Sequence, residues 1–125
     1  MKHLPSVTIE VVEHSDQKYD TCGNYGEGLD CWWMEISKLP KWQYEALIAI
    51  HELVEMVLTK DRKISWDKIT KFDNTFIDED DPGNMKIAPY HKEHKFATKL
   101  EKMLCSELGL DWKKYDKAVN SLKWN

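Results

Sequence analysis

Two segments of the sequence combine histidine and glutamate at helical spacing. In the first, H-E-L-V-E at residues 51–55, the side chains of His51 and Glu55 lie one helical turn apart. These two residues and Glu52 are the only polar residues in the apolar run 46–58. An ionised carboxylate removed from water is costly unless it is paired, protonated or bound to a metal. A metal site would account for all three side chains at once.

The second segment lies in a later predicted helix and supplies partner side chains. Glu93, His94 and Glu101 are expected to face the polar arc of the first segment when the two helices pack. His91 points further outward, although the first turn of a helix can tilt it inward, and Tyr90 lies nearby. These side chains are the further candidates for the site.

The set His51, Glu55 and His94 has the composition of a catalytic zinc site. Two histidines and one carboxylate hold the ion and leave a fourth position for water. In the related pattern H-E-x-x-H the intervening glutamate is the general base, and Glu52 takes that place here. The residues therefore predict a metal-dependent hydrolase, with zinc as the favoured cofactor.

Two other interpretations of the same residues stay open. A carboxylate-rich site for Mg²⁺ or Mn²⁺, suited to a nucleotide pyrophosphohydrolase, would use Glu52, Glu55, Glu93 and Glu101. A structural network without metal would hydrogen-bond His51 to Glu93 or Glu101. The cluster would then have a structural role and no enzymatic one.

The sequence predicts one domain, residues 1–125, of the α+β class. Two stretches, 7–13 and 29–37, are rich in β-branched or aromatic residues and are expected to pair as an antiparallel hairpin. Capping residues place the helices. The first predicted helix runs from about Pro40 to residues 59–62, and the second runs from Trp66, after the N-cap Ser65, to Phe72 or Phe76. The third runs from Pro89 to Leu108 and is closed by Gly109, and the last runs from the N-cap Asp111 to about Leu122. The fold is then a small antiparallel sheet packed on a bundle of about four helices.

Helical periodicity predicts which faces are buried. The first helix is expected to be buried nearly all round, with a main apolar face of Ala46, Leu47, Ile50, Leu53, Val54 and Val57. The third helix is expected to bury Phe96, Ala97, Leu100, Met103, Leu104 and Leu108. The last helix is expected to bury Trp112, Tyr115, Ala118, Val119 and Leu122.

Charge and composition restrict the class of protein. The net charge of −4 and the pI near 5.7 argue against a nucleic-acid binder held by a basic surface. No apolar run is long enough to span a membrane, and the N-terminal segment lacks the apolar core of a signal peptide. Three cysteines without paired spacing are expected to be reduced thiols. These features predict a soluble cytoplasmic protein that binds neither nucleic acid nor membrane.

Four blocks of the sequence resemble a family of small uncharacterised proteins of phages and prophages. The blocks are Y-D-T-C-G-N at 19–24, A-I-H-E-L-V-E at 49–55, A-P-Y-H-K-E-H-K-F-A-T at 88–98 and E-L-G-L-D-W at 107–112. This resemblance covers most of the chain and implies a phage or mobile-element context, hence the host cytoplasm, without implying a particular chemistry. A looser likeness is to all-α nucleoside triphosphate pyrophosphohydrolases of the MazG type, which carry E-E-x-x-E on one helix and E-x-x-D on the next. Here His51 replaces the first glutamate, the second block is E-H, and the N-terminal strands do not belong to that fold.

The sequence leaves the partners open. The substrate is an unidentified small molecule or peptide, since neither a glycine-rich nucleotide motif nor a nucleophile motif is present. The acidic segment 78–84 is expected to be a solvated loop or a contact for a metal or substrate. Trp32 and Trp33 could form the seam of a homodimer. Outside the enzymes, the alternative is a phage accessory protein that binds a host factor.

Overall fold

The computed structural model describes residues 2–76, 78–79 and 81–124. Within these residues, three strands and four α-helices are joined by two short 3₁₀ turns. The strands are β1 (Ser6–Val12), β2 (Gly23–Gly28) and β3 (Cys31–Ser37), and the helices are α1 (Trp42–Asp61), α2 (Trp66–Thr75), α3 (His91–Glu107) and α4 (Trp112–Asn120). The predicted α+β class, with a small sheet packed on helices, is confirmed.

The sheet has the strand order β1-β3-β2. β1 runs parallel to β3, so the predicted antiparallel pairing of these two strands is wrong. The antiparallel hairpin is formed by β2 and β3 instead. The glycine-rich segment 23–28 has the composition of a turn, but its pairing with β3 makes it a strand. Because β2 carries the chain back, β3 starts at the same end of the sheet as β1.

α2 and α4 begin directly after their predicted N-caps, whereas α1 and α3 begin two residues later than predicted. The Ser65 side chain accepts a hydrogen bond from the Lys68 N–H, and Asp111 caps α4. Gly109, with φ of 70°, follows the end of α3. No helix in the described part of the chain is long and apolar enough to cross a membrane.

The core lies between the sheet and α1. Trp32, Met34 and Ile36 form the buried face of β3 and pack in one cluster with Leu47 and Met56 of α1. Trp32 is buried within the chain and Trp33 is half-buried, and the homodimer stays a prediction. The three cysteines are free thiols, as predicted.

The burial of α1 and α3 differs from the expectation. On α1 the polar arc is buried, whereas Ile50, Leu53 and Val54 are only half-buried and Val57 is 43% exposed. The expectation that α1 is buried nearly all round is therefore wrong. On α3, Ala97 is buried, but Phe96, Met103 and Leu108 are exposed. The physical reason is that the two helices pack their histidine and glutamate faces together, which turns the apolar flanks outward.

Candidate metal centre

One atom from each of three side chains converges on a single point between α1 and α3. His51 Nε2 lies 3.1 Å from Glu55 Oε2 and 3.2 Å from His94 Nδ1, and His94 Nδ1 lies 2.9 Å from the same Glu55 oxygen. In a tetrahedral zinc site with bonds of about 2.0–2.1 Å, neighbouring ligand atoms lie roughly 3.3 Å apart. The spacing of these three atoms therefore suits a bound metal ion.

The packing of α1 against α3 produces this spacing. Glu55 contacts His94 while His51 also contacts Glu101, so the two helices run antiparallel. Ala97 is completely buried on the α3 face that carries His94 and Glu101. Its small side chain lets the helices approach closely enough for the two histidines to touch.

Each histidine has a carboxylate at its other ring nitrogen. Glu101 Oε1 lies 2.7 Å from His51 Nδ1, and the Asp81 carboxylate oxygens lie 2.9 and 3.1 Å from His94 Nε2. The Tyr115 hydroxyl donates a hydrogen bond to the second oxygen of Glu101. Metal-binding histidines commonly donate their second N–H to a carboxylate, which fixes the ring and makes the ligand nitrogen more basic. Both histidines of the cluster have this arrangement.

A positive charge between the inner atoms of the cluster, from a metal ion or from a proton, would satisfy them. If the outer N–H of each histidine points at its carboxylate, His51 Nε2 and His94 Nδ1 present lone pairs to each other and to Glu55. If instead both rings carry a second proton, two cations face each other across 3.2 Å and share one carboxylate oxygen. A divalent ion would satisfy all three atoms without this repulsion.

The surrounding carboxylates attract cations to the histidines. Burial alone lowers the pKa of His51, but hydrogen bonds with Glu101 and Glu55 raise it well above its ordinary value. Burial also lowers the pKa of His94, but Asp81 and Glu55 raise it to about 9. Burial raises the pKa of Glu55, yet the two histidines hold it below its ordinary range. Without a metal, protons therefore occupy the histidines, and a metal ion must displace them.

Glu52 lies beside the cluster and faces the same cleft. It is 8% exposed, and none of the hydrogen bonds that described residues make at the cluster reaches its carboxylate. Burial and the charge of Glu55 raise its pKa. A glutamate with a raised pKa is suited to accept a proton near neutral pH.

Two glycines allow the backbone to approach the cluster. A Cβ atom at Gly23 would lie 2.6 Å from Ile48 Cγ2 and 2.7 Å from Glu52 Oε1. A Cβ atom at Gly83 would lie 2.6 Å from the ring of His94. Larger residues at these positions would displace Glu52 or His94.

The cluster opens into a cleft of about 730 Å³. Among the described residues that line the cleft there is no lysine or arginine. Nine carboxylates line it, namely Asp20, Glu52, Glu55, Asp73, Asp78, Glu79, Asp81, Glu101 and Asp116. The cleft is therefore strongly negative, even when a divalent ion and the histidines are counted against these charges.

Two of the further candidates lie outside the cluster. Glu93 is buried, but its carboxylate pairs with Arg62 at 2.6 Å, since it meets the C-terminal end of α1. His91 Nδ1 lies 3.2 Å from the carbonyl oxygen of Gly83 and contacts backbone. Tyr90 does line the cleft, where its hydroxyl donates a hydrogen bond to Asp73.

Asp81 and Tyr25 also support the cluster, and neither was expected from the sequence. Asp81 belongs to the acidic loop before α3. Asp80 of the same loop lies outside the described residues. The acidic composition of that loop was the only feature of the sequence that indicated a contact from Asp81. The Tyr25 hydroxyl donates to Glu55 Oε1 at 3.2 Å, and no motif in β2 indicated this contact.

His14, which lies outside the cluster, has the contacts of a hydrolytic triad. His14 Nδ1 lies 2.8 Å from Ser37 Oγ, and His14 Nε2 lies 2.9 Å from Asp20 Oδ1. Ser37 is fully buried, and its hydroxyl also contacts Gln17 Nε2 and the carbonyl oxygen of Thr21. A nucleophile must reach its substrate. These contacts therefore stabilise the packing of the segment that connects β1 and β2 against β3.

Comparisons with known proteins do not assign the cluster to a family. No family model matches the sequence, and no match is found among curated proteins or solved structures. The candidate metal centre rests on the geometry of the described residues.

Proposed function

We propose that this protein is a metal-dependent hydrolase with one divalent ion, preferably zinc, held by His51, Glu55 and His94. The observation that carries the proposal is the convergence of one atom from each residue within 3.2 Å of the others. Two histidines and one carboxylate form a known ligand set of catalytic zinc sites, which keep a fourth position for water. The carboxylates on the outer histidine nitrogens support the same assignment.

Glu52 would act as the general base. A bound zinc ion supplies Lewis-acid polarisation and lowers the pKa of water in its fourth position. Glu52 lines the same cleft and would take a proton from the attacking water. The Tyr25 hydroxyl engages Glu55 Oε1, which leaves Glu55 Oε2 for the ion.

A Mg²⁺ or Mn²⁺ nucleotide pyrophosphohydrolase has less support. Of the four carboxylates it would use, Glu93 pairs with Arg62, and Glu101 is engaged by His51 and Tyr115. Among the described residues of the cleft, no lysine or arginine is present to bind a phosphate chain.

A phage accessory protein that binds a host factor is the second candidate. Phe96 and Met103 of α3 are 47% and 59% exposed, and Val57 of α1 is 43% exposed. Exposed apolar residues of this kind can mark a protein-binding surface when they are contiguous. This function leaves the acidic cleft and the histidine cluster without a role.

Metal-dependent turnover tests the proposal. Zinc-loaded protein should hydrolyse at least one class in a panel of activated esters, amides and phosphoesters. A chelator should abolish this turnover and added zinc should restore it. Zinc should not restore His94→Ala, whereas His91→Ala should behave like wild type because it removes a histidine of the same helix outside the cluster. Zinc-loaded protein without turnover of any class would favour the accessory protein.

A further inference from the structure

We propose that the substrate carries a cationic group, an ammonium or guanidinium, which Asp73 binds in the cleft beside the metal centre. This inference rests on the proposed hydrolase function and names its substrate class. Asp73 projects from α2, and Tyr90 connects it to the cluster. The Tyr90 hydroxyl donates to Asp73, and the Tyr90 ring stands 5.9 Å from the ring of His94, measured between centroids.

The cleft carries more negative charge than the positively charged groups among the described residues neutralise. Asp81, Glu55 and Glu101 face the two cluster histidines, and Asp20 faces His14. The ion pairs made by described residues include none for Glu52 or Asp73. A low-dielectric cleft with unpaired carboxylates raises the local concentration of cations and repels anions. The negative charge of the cleft therefore disfavours phosphate and carboxylate substrates.

Glu52 provides a second observation that points to a ligand. The residue is more than nine-tenths buried and lines the cleft, and none of the hydrogen bonds made by the described residues reaches its carboxylate. A carboxylate with little access to water is stabilised when a charged partner binds it. A cationic ligand in the cleft would supply the missing charge.

Asp73 has the geometry of a recognition group. The hydroxyls of Tyr19 and Tyr90 donate to its two oxygens, with a Tyr19 Oη–Asp73 Oδ2 distance of 3.3 Å, and so hold the carboxylate in place. Burial raises the pKa of Asp73 to about 6, although the hydrogen bonds from the two tyrosines and the charge of His94 lower it. The aromatic side chains of Tyr19, Tyr90 and Trp66 also line the cleft.

A matched pair of probes tests the inference without turnover. Butylguanidinium and butylurea have nearly the same shape, and the guanidinium does not lose its proton to coordinate a metal. Calorimetric titration of the zinc-loaded protein should show guanidinium binding roughly tenfold tighter than urea. Asp73→Asn should remove this preference while leaving the affinity for urea and the zinc content unchanged. Asp67→Asn removes the same charge from an exposed position of α2 and should keep the preference.

Other outcomes separate this inference from the proposed function. Equal affinity for the two probes, or a preference that survives in Asp73→Asn, would overturn the cationic subsite. So would a second divalent ion per chain that is lost in Asp73→Asn, because Asp73 would then be a metal ligand. Selective guanidinium binding that depends on Asp73 in a protein without any bound zinc would uphold the subsite and contradict the hydrolase.

Discussion

Glu52→Gln is expected to lower the hydrolytic rate by about 10²–10⁴-fold and to leave the zinc content unchanged. The amide keeps the shape of the carboxylate but cannot accept the proton of the attacking water. The ion should stay bound because Glu52 is not among the three converging atoms. The variant should also melt no lower than wild type, since burial disfavours the ionised carboxylate that it replaces. Turnover, zinc content and melting temperature are measured on the same preparation.

The control for this prediction is Glu107→Gln, which removes the same charge from an exposed position of α3. It should change neither turnover nor zinc content. Loss of zinc in Glu52→Gln would make Glu52 a ligand and would favour the carboxylate-rich Mg²⁺ or Mn²⁺ site. Full activity in Glu52→Gln would remove it as the base.

Removal of the metal is expected to lower the melting temperature at neutral pH. A ligand that binds only the folded state stabilises it by roughly 2.7–4.1 kcal/mol when present at about 100 to 1,000 times its dissociation constant. A bound ion would also relieve repulsion among the buried carboxylates. Thermal unfolding of zinc-loaded protein, with and without a chelator, measures the effect.

The chelator effect should grow with pH. In the metal-free protein the pKa of His94 is raised from 6.5 to about 9 and that of His51 is raised as well, so the folded state binds these protons more tightly than the unfolded state. That stabilisation is complete below about pH 6.5 and is lost as the pH rises through about 9. Metal binding strengthens over the same range because the histidines release their protons.

The double variant His51→Ala/His94→Ala is the control for metal removal. It should show no chelator effect at any pH. Wild-type protein that melts at the same temperature after verified removal of its metal would contradict the prediction. A chelator effect that shrinks with rising pH would contradict its explanation through the histidines.

Helical spacing explains how much of the cluster the sequence could predict. His51 and Glu55 share a face because the i, i+4 spacing of a helix is fixed geometry. His94 followed from the requirement that one buried polar arc meets another. The sequence could not decide between Glu93 and Glu101, because both lie on the inner side of α3. The antiparallel packing decides it, since Glu93 meets Arg62 and Glu101 meets His51.

Contacts that depend on tertiary structure could not be predicted. Asp81 reaches His94 from a loop, and Tyr25 reaches Glu55 from a glycine-rich strand, so neither contact has a periodic signal. The strand β2 itself was hidden by its glycines, and without it the parallel pairing of β1 with β3 could not be foreseen.

The burial of α1 and α3 shows where hydrophobic patterning fails. Counting apolar residues placed Val57, Phe96 and Met103 inside, and the structure exposes them. The rule that apolar faces turn inward holds when burial of apolar surface decides the packing. Here the paired histidine and glutamate faces occupy the interface between the helices, and the apolar residues lie on their flanks.

The metal content of the purified protein tests the central claim most directly. Elemental analysis of protein prepared without added metal, and again after zinc loading and dialysis, should give about one divalent ion per chain. His51→Ala/His94→Ala should contain none, and His91→Ala should match wild type. A stoichiometric ion that survives in the double variant, or zinc-loaded wild type that retains no ion, would contradict the metal centre.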